Sequence, residues 1–520
     1  MIWLRCLVIF QVRMFIGPLT GFKRRPGVSG GSSRTQRLRC PRGLSEGTLF
    51  DKEPIVFARS PGARWIHAFP VLVALACYLA AYQTGQSNPT SNYGLSSRPP
   101  SKAYLELPQT DRGPFPQLLS QTGAFKNTAD LAPADGLIPY DINVAFYSDG
   151  ATKSRWLSVP QQDSSTSSRI QFTPTGDWRF PSGTVFVKHF EFATDETLPD
   201  RKRRLETRIL VRDANGGVYG LTYKWKPDNT DAELLATNLI ETLQIRTPTG
   251  IRTQMWYYPS RQDCQTCHAA NAGGVLGLKT RQINRDFSFP CGIVDNQLRA
   301  WNHIGLFEPA LNEAELPGYT KLARADDPER SMEDRARSYL DVNCAYCHRP
   351  GGTVAYFDAR YDTLLERQGL INGAVLIDEG LDRARVVVPN DVWRSIALVR
   401  ISSLEGLKMP PLAHETLDQQ GTALLRTWIE SLPGPKVLSP PTFSTKGGKQ
   451  DKPVEIRLAH IEPGATIRYT LDGSVPTGTD PTYEGPIKLS ESTTVRARAF
   501  KPGFNKSITV QETFVFPRKP

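Results

Sequence analysis

Two five-residue segments constrain this chain more than anything else in it: Cys264-Gln265-Thr266-Cys267-His268 and Cys344-Ala345-Tyr346-Cys347-His348. Only 8 cysteines and 7 histidines occur in 520 residues, so a repeated Cys-x-x-Cys-His is no accident of composition. In such a pentad both thiols form thioether bonds to the haem vinyl groups, and the adjacent histidine becomes the proximal iron ligand. A structural zinc would need four clustered ligands, and a redox dithiol would need a βαβ setting. The expectation is therefore two covalently bound haem c groups. Cys264, Cys267 and His268 hold one; Cys344, Cys347 and His348 hold the other.

The surroundings of the second pentad extend this reading. Ser331 is placed to cap a helix whose apolar positions Met332, Ala336, Tyr339 and Leu340 recur at helical spacing. That helix delivers the cysteines and His348 from its C-terminal end. A loop follows Pro350, and Leu407-Lys408-Met409-Pro410-Pro411 comes much later. A methionine in a proline-bounded loop can present its thioether to an open iron face; the alternative is a core methionine. Thr416 is then expected to cap a last helix with Leu417, Leu424, Leu425, Trp428 and Ile429 on one face. This order resembles a class I-type cytochrome c domain over about a hundred residues, and the resemblance implies His348 and Met409 as axial ligands.

The first pentad is less complete. No methionine lies between His268 and Met332, and only some sixty residues separate His268 from the helix at Ser331. A reduced haem module is expected, leaning on the preceding domain for part of its pocket. Candidates for its second axial ligand are His303, Met255 and His189. His303 is preferred, because it follows the pentad and borders Leu298, Trp301, Ile304 and Leu306. Arg261 could pair with a haem propionate. The aromatic run Trp256-Tyr257-Tyr258 either walls the porphyrin or packs a sheet edge.

The formal charge of +11 does not mark a nucleic-acid binder. Residues 1–65 hold 12 Lys and Arg against Glu46, Asp51 and Glu53, which leaves about +2 for everything else. The basic head precedes an apolar run, Ile66–Tyr82, of the length of a signal-peptide core or a marginal membrane anchor. Such a head is long for a signal peptide, so a start near 51–64 is expected, with Arg59 and Arg64 as the charged region. Cleavage could follow Ala76 and leave Cys77 first, a weak resemblance to a lipoprotein site. Outside the pentads only Cys6, Cys40, Cys77 and Cys291 remain, too few beyond the leader for a disulfide framework. Cys291 is expected to be a small buried hydrophobe. The expected location is periplasmic or otherwise extracytoplasmic, where haem c is attached.

The chain divides by composition into a leader (1–82), a linker (83–107), a β-rich domain (108–260), a first haem module (261–329), a cytochrome c domain (330–432), a second linker (433–450) and a β-sandwich (451–517). In the β-rich domain Val185, Val187, His189 and Glu191 alternate with Phe186, Lys188, Phe190 and Phe192, which predicts an antiparallel sheet with one face packed and one wet. His189 is then an ordinary sheet residue. The expected fold class is an antiparallel β domain, then mostly α cytochrome c modules, then a small immunoglobulin-like sandwich.

Several segments resemble an uncharacterised group of exported bacterial haem c proteins over roughly 108–432. They are Tyr140-Asp141-Ile142-Asn143, Ser148-Asp149-Gly150-Ala151-Thr152-Lys153-Ser154-Arg155, Phe180-Pro181-Ser182-Gly183-Thr184, Glu206-Thr207-Arg208, Tyr223-Lys224-Trp225 and the Tyr258-Pro259-Ser260-Arg261 run into the first pentad. The resemblance implies haem c and export, and brings no activity with it. Ile467-Arg468-Tyr469-Thr470-Leu471-Asp472-Gly473-Ser474-Val475-Pro476-Thr477 resembles the signature of the chitobiase/beta-hexosaminidase C-terminal domain. That resemblance implies an accessory sandwich without a catalytic acid, so nothing here points to a glycosidase. The function expected is electron transfer to or from a redox protein partner, with no catalytic residues. The alternatives are a peroxidase-type haem enzyme with an open first haem, and a polysaccharide- or surface-binding protein. No nucleic-acid partner is expected, and membrane contact only through the N-terminal segment.

Overall fold

The computed structural model describes residues 93–517 apart from 162–167 and 354. The basic leader, the run Ile66–Tyr82 and Cys77 lie outside the described residues. The body is built on one antiparallel sheet of six strands in sequence order: β1 (Ile138–Pro139), β2 (Thr152–Ser158), β3 (Val185–Ala193), β4 (Lys202–Arg212), β5 (Val218–Trp225) and β6 (Ala232–Leu234). A separate ribbon, β7 (Leu239–Thr247) with β8 (Gly250–Tyr258), runs into the first pentad.

Both faces of the sheet are covered, which corrects the expectation of one wet face. Successive side chains of a strand point to opposite faces. Val185 and Val187 join Trp156, Ile209, Val211 and Tyr223 in one core. Phe186 joins a second core with Leu298, Trp301, Phe307 and others from the segment after the first pentad. That segment has too few apolar residues to enclose a core alone, so it buries them on the sheet. Residues read as the first linker take part too: Leu105 and Leu107 lie in the core of the opposite face.

The mostly α haem modules are not found among the described residues. These are mostly β, 28% strand against 16% helix, which overturns that part of the expected fold class. The main helices between 261 and 432 are α1 (Arg261–Cys267), α2 (Gln297–His303), α3 (Met332–Asn343), α4 (Ile396–Ile401) and α5 (Gln419–Ser431). Between α3 and α4 the chain is largely loop. Asn372, Glu379, Arg383 and Asn390 there take positive φ, which breaks any helical run. α3 and α5 pack through Tyr339, Leu340, Leu424, Leu425 and Trp428. The cap of α5 is Asp418, whose side chain accepts from the Gly421 amide at 2.8 Å, not Thr416.

The C-terminal part is a β domain, as its alternation predicts. Thr466–Thr470, Thr493–Phe500, Val510–Val515 and Gly448–Lys449 form one sheet. Val454–Ile456 pairs with Ile487–Leu489 and Thr442–Phe443 with Leu458–Ala459. Residues 433–450, read as a linker, therefore supply two of its strands. Ile456, Leu458, Ile467, Val495 and Phe514 fill its core. Arg394 and Arg498 fasten it to the preceding part: Arg394 Nη2 donates to the Ser507 carbonyl at 2.9 Å, and Arg498 pairs with Asp382 at 2.5 Å.

Candidate functional site

The first pentad rides on α1, only two turns long. Ser260 caps it: its Oγ accepts from the Asp263 amide at 3.2 Å, and the Asp263 carboxylate accepts from the Ser260 amide at 2.8 Å. This reciprocal box offsets about 1 kcal/mol of fraying in a helix too short to hold itself. The Tyr257 hydroxyl donates to the same carboxylate at 2.8 Å. The helix lies against β5, and Gln265 Nε2 donates to the Val218 carbonyl at 2.6 Å. Gly220 makes the approach possible: a Cβ there would stand 2.6 Å from Cys264 Sγ and 2.9 Å from its Cβ. The glycine is a cradle for the thiol.

His268 ends the helix. Its Nδ1 lies 2.8 Å from the Gly274 carbonyl oxygen, an acceptor only, so Nδ1 carries the proton and Nε2 keeps its lone pair. Burial, against the pull of that carbonyl, brings the imidazole down to about 4. A neutral ring with a free Nε2 is the form that ligates a metal.

The second pentad follows α3, capped by Ser331, whose Oγ accepts from the Asp334 amide at 3.1 Å. The amides of Cys347 and His348 both donate to the Cys344 carbonyl, at 3.1 and 2.9 Å, which folds the pentad into a tight turn. His348 stacks on Phe357 with ring centroids 4.3 Å apart, and its buried Nδ1 has no hydrogen-bond partner among the described residues. Burial, aided by Arg400, lowers this imidazole to about 4. The Met409 amide donates to the Arg400 carbonyl at 3.1 Å, and Met409 and Cys344 pack on the same core. His348 and Met409 thus share Arg400 as a neighbour.

The two pentads touch. Cys347 Sγ lies 4.0 Å from the Thr266 carbonyl oxygen. Burial and the Cys347 thiol push Cys267 up to about 12, and the same two causes push Cys344 to about 12. All four pentad cysteines are free thiols. Beside them opens a cavity of about 220 Å³, lined by Cys264, Cys267 and His268 from the first pentad and by Tyr346 from the second. Pro410 and Pro411 of the methionine loop form another part of its wall.

Buried charges fix this arrangement. Arg281, just after the first pentad, grips the Asp341 carboxylate of α3 with Nε at 3.2 Å and Nη2 at 3.0 Å, and reaches Asp362 at 2.6 Å. Lys279 adds an ion pair to Asp341 at 3.2 Å. Burial alone would raise the Asp341 carboxyl; Lys279 and Arg281 outweigh it and hold the group well below the ordinary carboxylate range. Asp149 of the Ser148-Asp149-Gly150 segment caps the loop after Met409, accepting from the amides of Glu415 and Thr416 at 2.6 and 2.8 Å. The Tyr147 hydroxyl meets Thr416 Oγ1 at 2.7 Å. These roles explain motif residues that the sequence showed without a purpose.

Other expected site residues are placed elsewhere. His303 is exposed at the end of α2, stacked on Tyr93 with centroids 3.8 Å apart, and is not on the cavity wall. An apolar neighbourhood in sequence did not put it inside, because Leu298, Trp301 and Ile304 occupy the buried side of α2. His189 is buried on the other face of β3, its Nδ1 2.8 Å from Thr207 Oγ1. Met255 is 47% exposed. Arg261 donates to the Asp111 carbonyl at 2.6 Å and lies over Phe115, also off the cavity wall. Of the aromatic run, Trp256 and Tyr258 are core and Tyr257 faces the cavity. Cys291 is exposed, not a buried hydrophobe, and its thiol donates to the Gly94 carbonyl at 3.3 Å.

Residues 445–512 match the family model of the chitobiase/beta-hexosaminidase C-terminal domain. No curated protein matches the chain.

Proposed function

We propose that both pentads carry covalent haem c, and that the chain is an exported di-haem cytochrome that exchanges electrons with a redox protein partner. The observation that carries this reading is the contact of the two pentads beside one cavity, with free thiols on both and a His268 tautomer that leaves Nε2 available. The donor set suits this cofactor. A haem iron needs one or two protein donors because the porphyrin supplies four nitrogens, whereas zinc needs three or four protein ligands together. Among the described residues no group of three or more His, Cys, Asp and Glu side chains is placed to hold a metal ion.

Haem iron supplies reversible one-electron chemistry; the protein sets its direction. Thioether ligation by Met409 at the second pentad would raise the potential there, and a nitrogen donor at the first would leave that site lower. The contact of Cys347 with the Thr266 carbonyl would hold the two haem groups side by side for such an exchange of electrons.

A pyridine haemochrome assay on the purified full chain tests the reading. Two haems per chain should resist extraction by acid acetone, and Cys264→Ala with Cys267→Ala should remove one of them. Extractable haem, or none, would refute it.

A further inference from the structure

The cavity wall contains a row of three cations. Arg155 on β2 stands opposite Lys188 on β3, which stands opposite Arg208 on β4. Residues directly opposite in neighbouring strands share a face, and like charges so placed repel. Two of the three are neutralised. Arg155 pairs with Asp141 at 3.1 Å, and Arg208 grips the buried Glu206 through Nη2 at 2.5 Å and Nε at 3.0 Å. The Lys188 side chain has no ion pair or hydrogen bond among the described residues. Its ammonium position is 5.0 Å from the Phe190 ring and 5.7 Å from the Phe146 ring.

The rest of the wall sharpens the contrast. Asp177 is held by Lys279 at 3.5 Å and Arg349 at 2.6 Å, and Asp341 by Lys279 and Arg281. Asp263 accepts from Ser260 and Tyr257. Lys153, two residues before Arg155 on β2 and off the cavity wall, donates to the carbonyls of Phe146 and Ala151, both at 3.0 Å. Among the described residues Lys188 is thus the charged side chain of the cavity wall with ring faces but no ion pair or hydrogen bond, and apart from His268 no histidine or methionine lines that wall.

A buried ammonium between two guanidinium groups is in a poor place to stay charged, and the attraction of the Phe146 and Phe190 ring faces opposes that only in part. Burial and the Arg155, Lys153 and Arg208 cations push it well below its ordinary value. An uncharged amine has one lone pair, and the cavity already offers the imidazole of His268. We infer that the Lys188 amine is the second axial donor to the iron at the first pentad, an inference that rests on that pentad being a haem attachment site. Coordination of the uncharged amine would break no bond and move no proton: the lone pair is donated to iron and no oxidation state changes. It closes the first iron to small ligands, which favours electron carriage over peroxide chemistry.

The competing role is a counter-ion to a haem propionate, and Lys188→Arg separates the two. Arginine keeps a positive charge but stays protonated and cannot ligate iron. The full haem-loaded chain is examined in the ferric state by electron paramagnetic resonance and in the ferrous state for carbon monoxide uptake. Wild type should show two low-spin irons and bind no carbon monoxide. Lys188→Arg and Lys188→Ala should each keep two haems, turn one iron high-spin and bind one carbon monoxide per chain. Two low-spin irons in Lys188→Arg, or a high-spin iron in the wild type, would overturn the inference. Should either variant lose haem, the near-infrared magnetic circular dichroism band of the wild type decides, since histidine/amine ligation differs there from histidine/thioether and bis-imidazole. A wild-type chain with no covalent haem at the first pentad would remove the underlying reading, and the haem count shows that before any spectrum is taken.

Discussion

The two pentads have the same five-residue pattern and opposite kinds of support. The second follows α3, with a core drawn from residues 325–432: Tyr339 and Leu340 meet Leu424, Leu425 and Trp428 about 85 residues on. The first sits on α1, in which no residue is buried. Its ring is fixed by one hydrogen bond to a backbone carbonyl, and its cavity wall comes from β3, β4 and β5 and from the second pentad itself. One Cys-x-x-Cys-His pentad is thus packed by its own helices and the other borrows its wall from a sheet.

The sharpest way to break the comparison is Gly220→Val. The new side chain would collide with Cys264, so the first attachment should fail while the second persists, and the haemochrome count should fall from two to one. A count still at two would mean that β5 does not shape the first site.

Next comes the tie between the sites. Asp341→Ala removes the carboxylate that Arg281 and Lys279 share, and should cost about 3 kcal/mol of stability in urea unfolding, as breaking a buried pair does. Both cations keep a second partner, Asp362 and Asp177, which places the effect at the low end of that range. The carboxylate also gives a pH signature. Its folded pKa is depressed, so its contribution is complete above the unfolded value of about 3.9 and is lost as pH falls from there toward the folded value. Asp341→Asn should flatten the acid limb of the stability profile; an unchanged limb would show that the network does not matter to folding.

Met409→Ala should act on one site alone. The sulfur-to-iron charge-transfer band of the oxidised protein should vanish and the higher of the two midpoint potentials should drop, with the haem count unchanged. A band that survives would make Met409 a core residue.

The smallest effect is expected at His303. His303→Ala removes a surface stack on Tyr93 worth about 1 kcal/mol or less. The spectra of both haems should stay as in the wild type, and a change in either would return His303 to the list of ligands.

Some of this was written locally in the chain. The pentads, the cap at Ser331, the helix it starts and the alternation of the C-terminal strands are patterns within a few residues, and backbone periodicity alone turns them into structure. The placement of His303 was not legible, because apolar neighbours on a helix say that one side is buried without saying which residue faces a pocket. The fold class of residues 261–432 was misread for a related reason: two good helices invited more, while the described residues between 344 and 395 are largely loop, held by bonds such as that from the Val387 amide to the Leu370 carbonyl. The length of the sequence could not show that Arg155, Lys188 and Arg208 form a row, nor that Gly220 lies under Cys264. Those facts depend on strand register and on which surface a short helix lands upon. They are set by pairing between residues 20 to 50 apart or more. The sequence by itself determined where two thiol pairs and their histidines would be. Only the tertiary structure decided that they meet, because side-chain burial against a shared sheet, rather than any local preference, brings the two segments together.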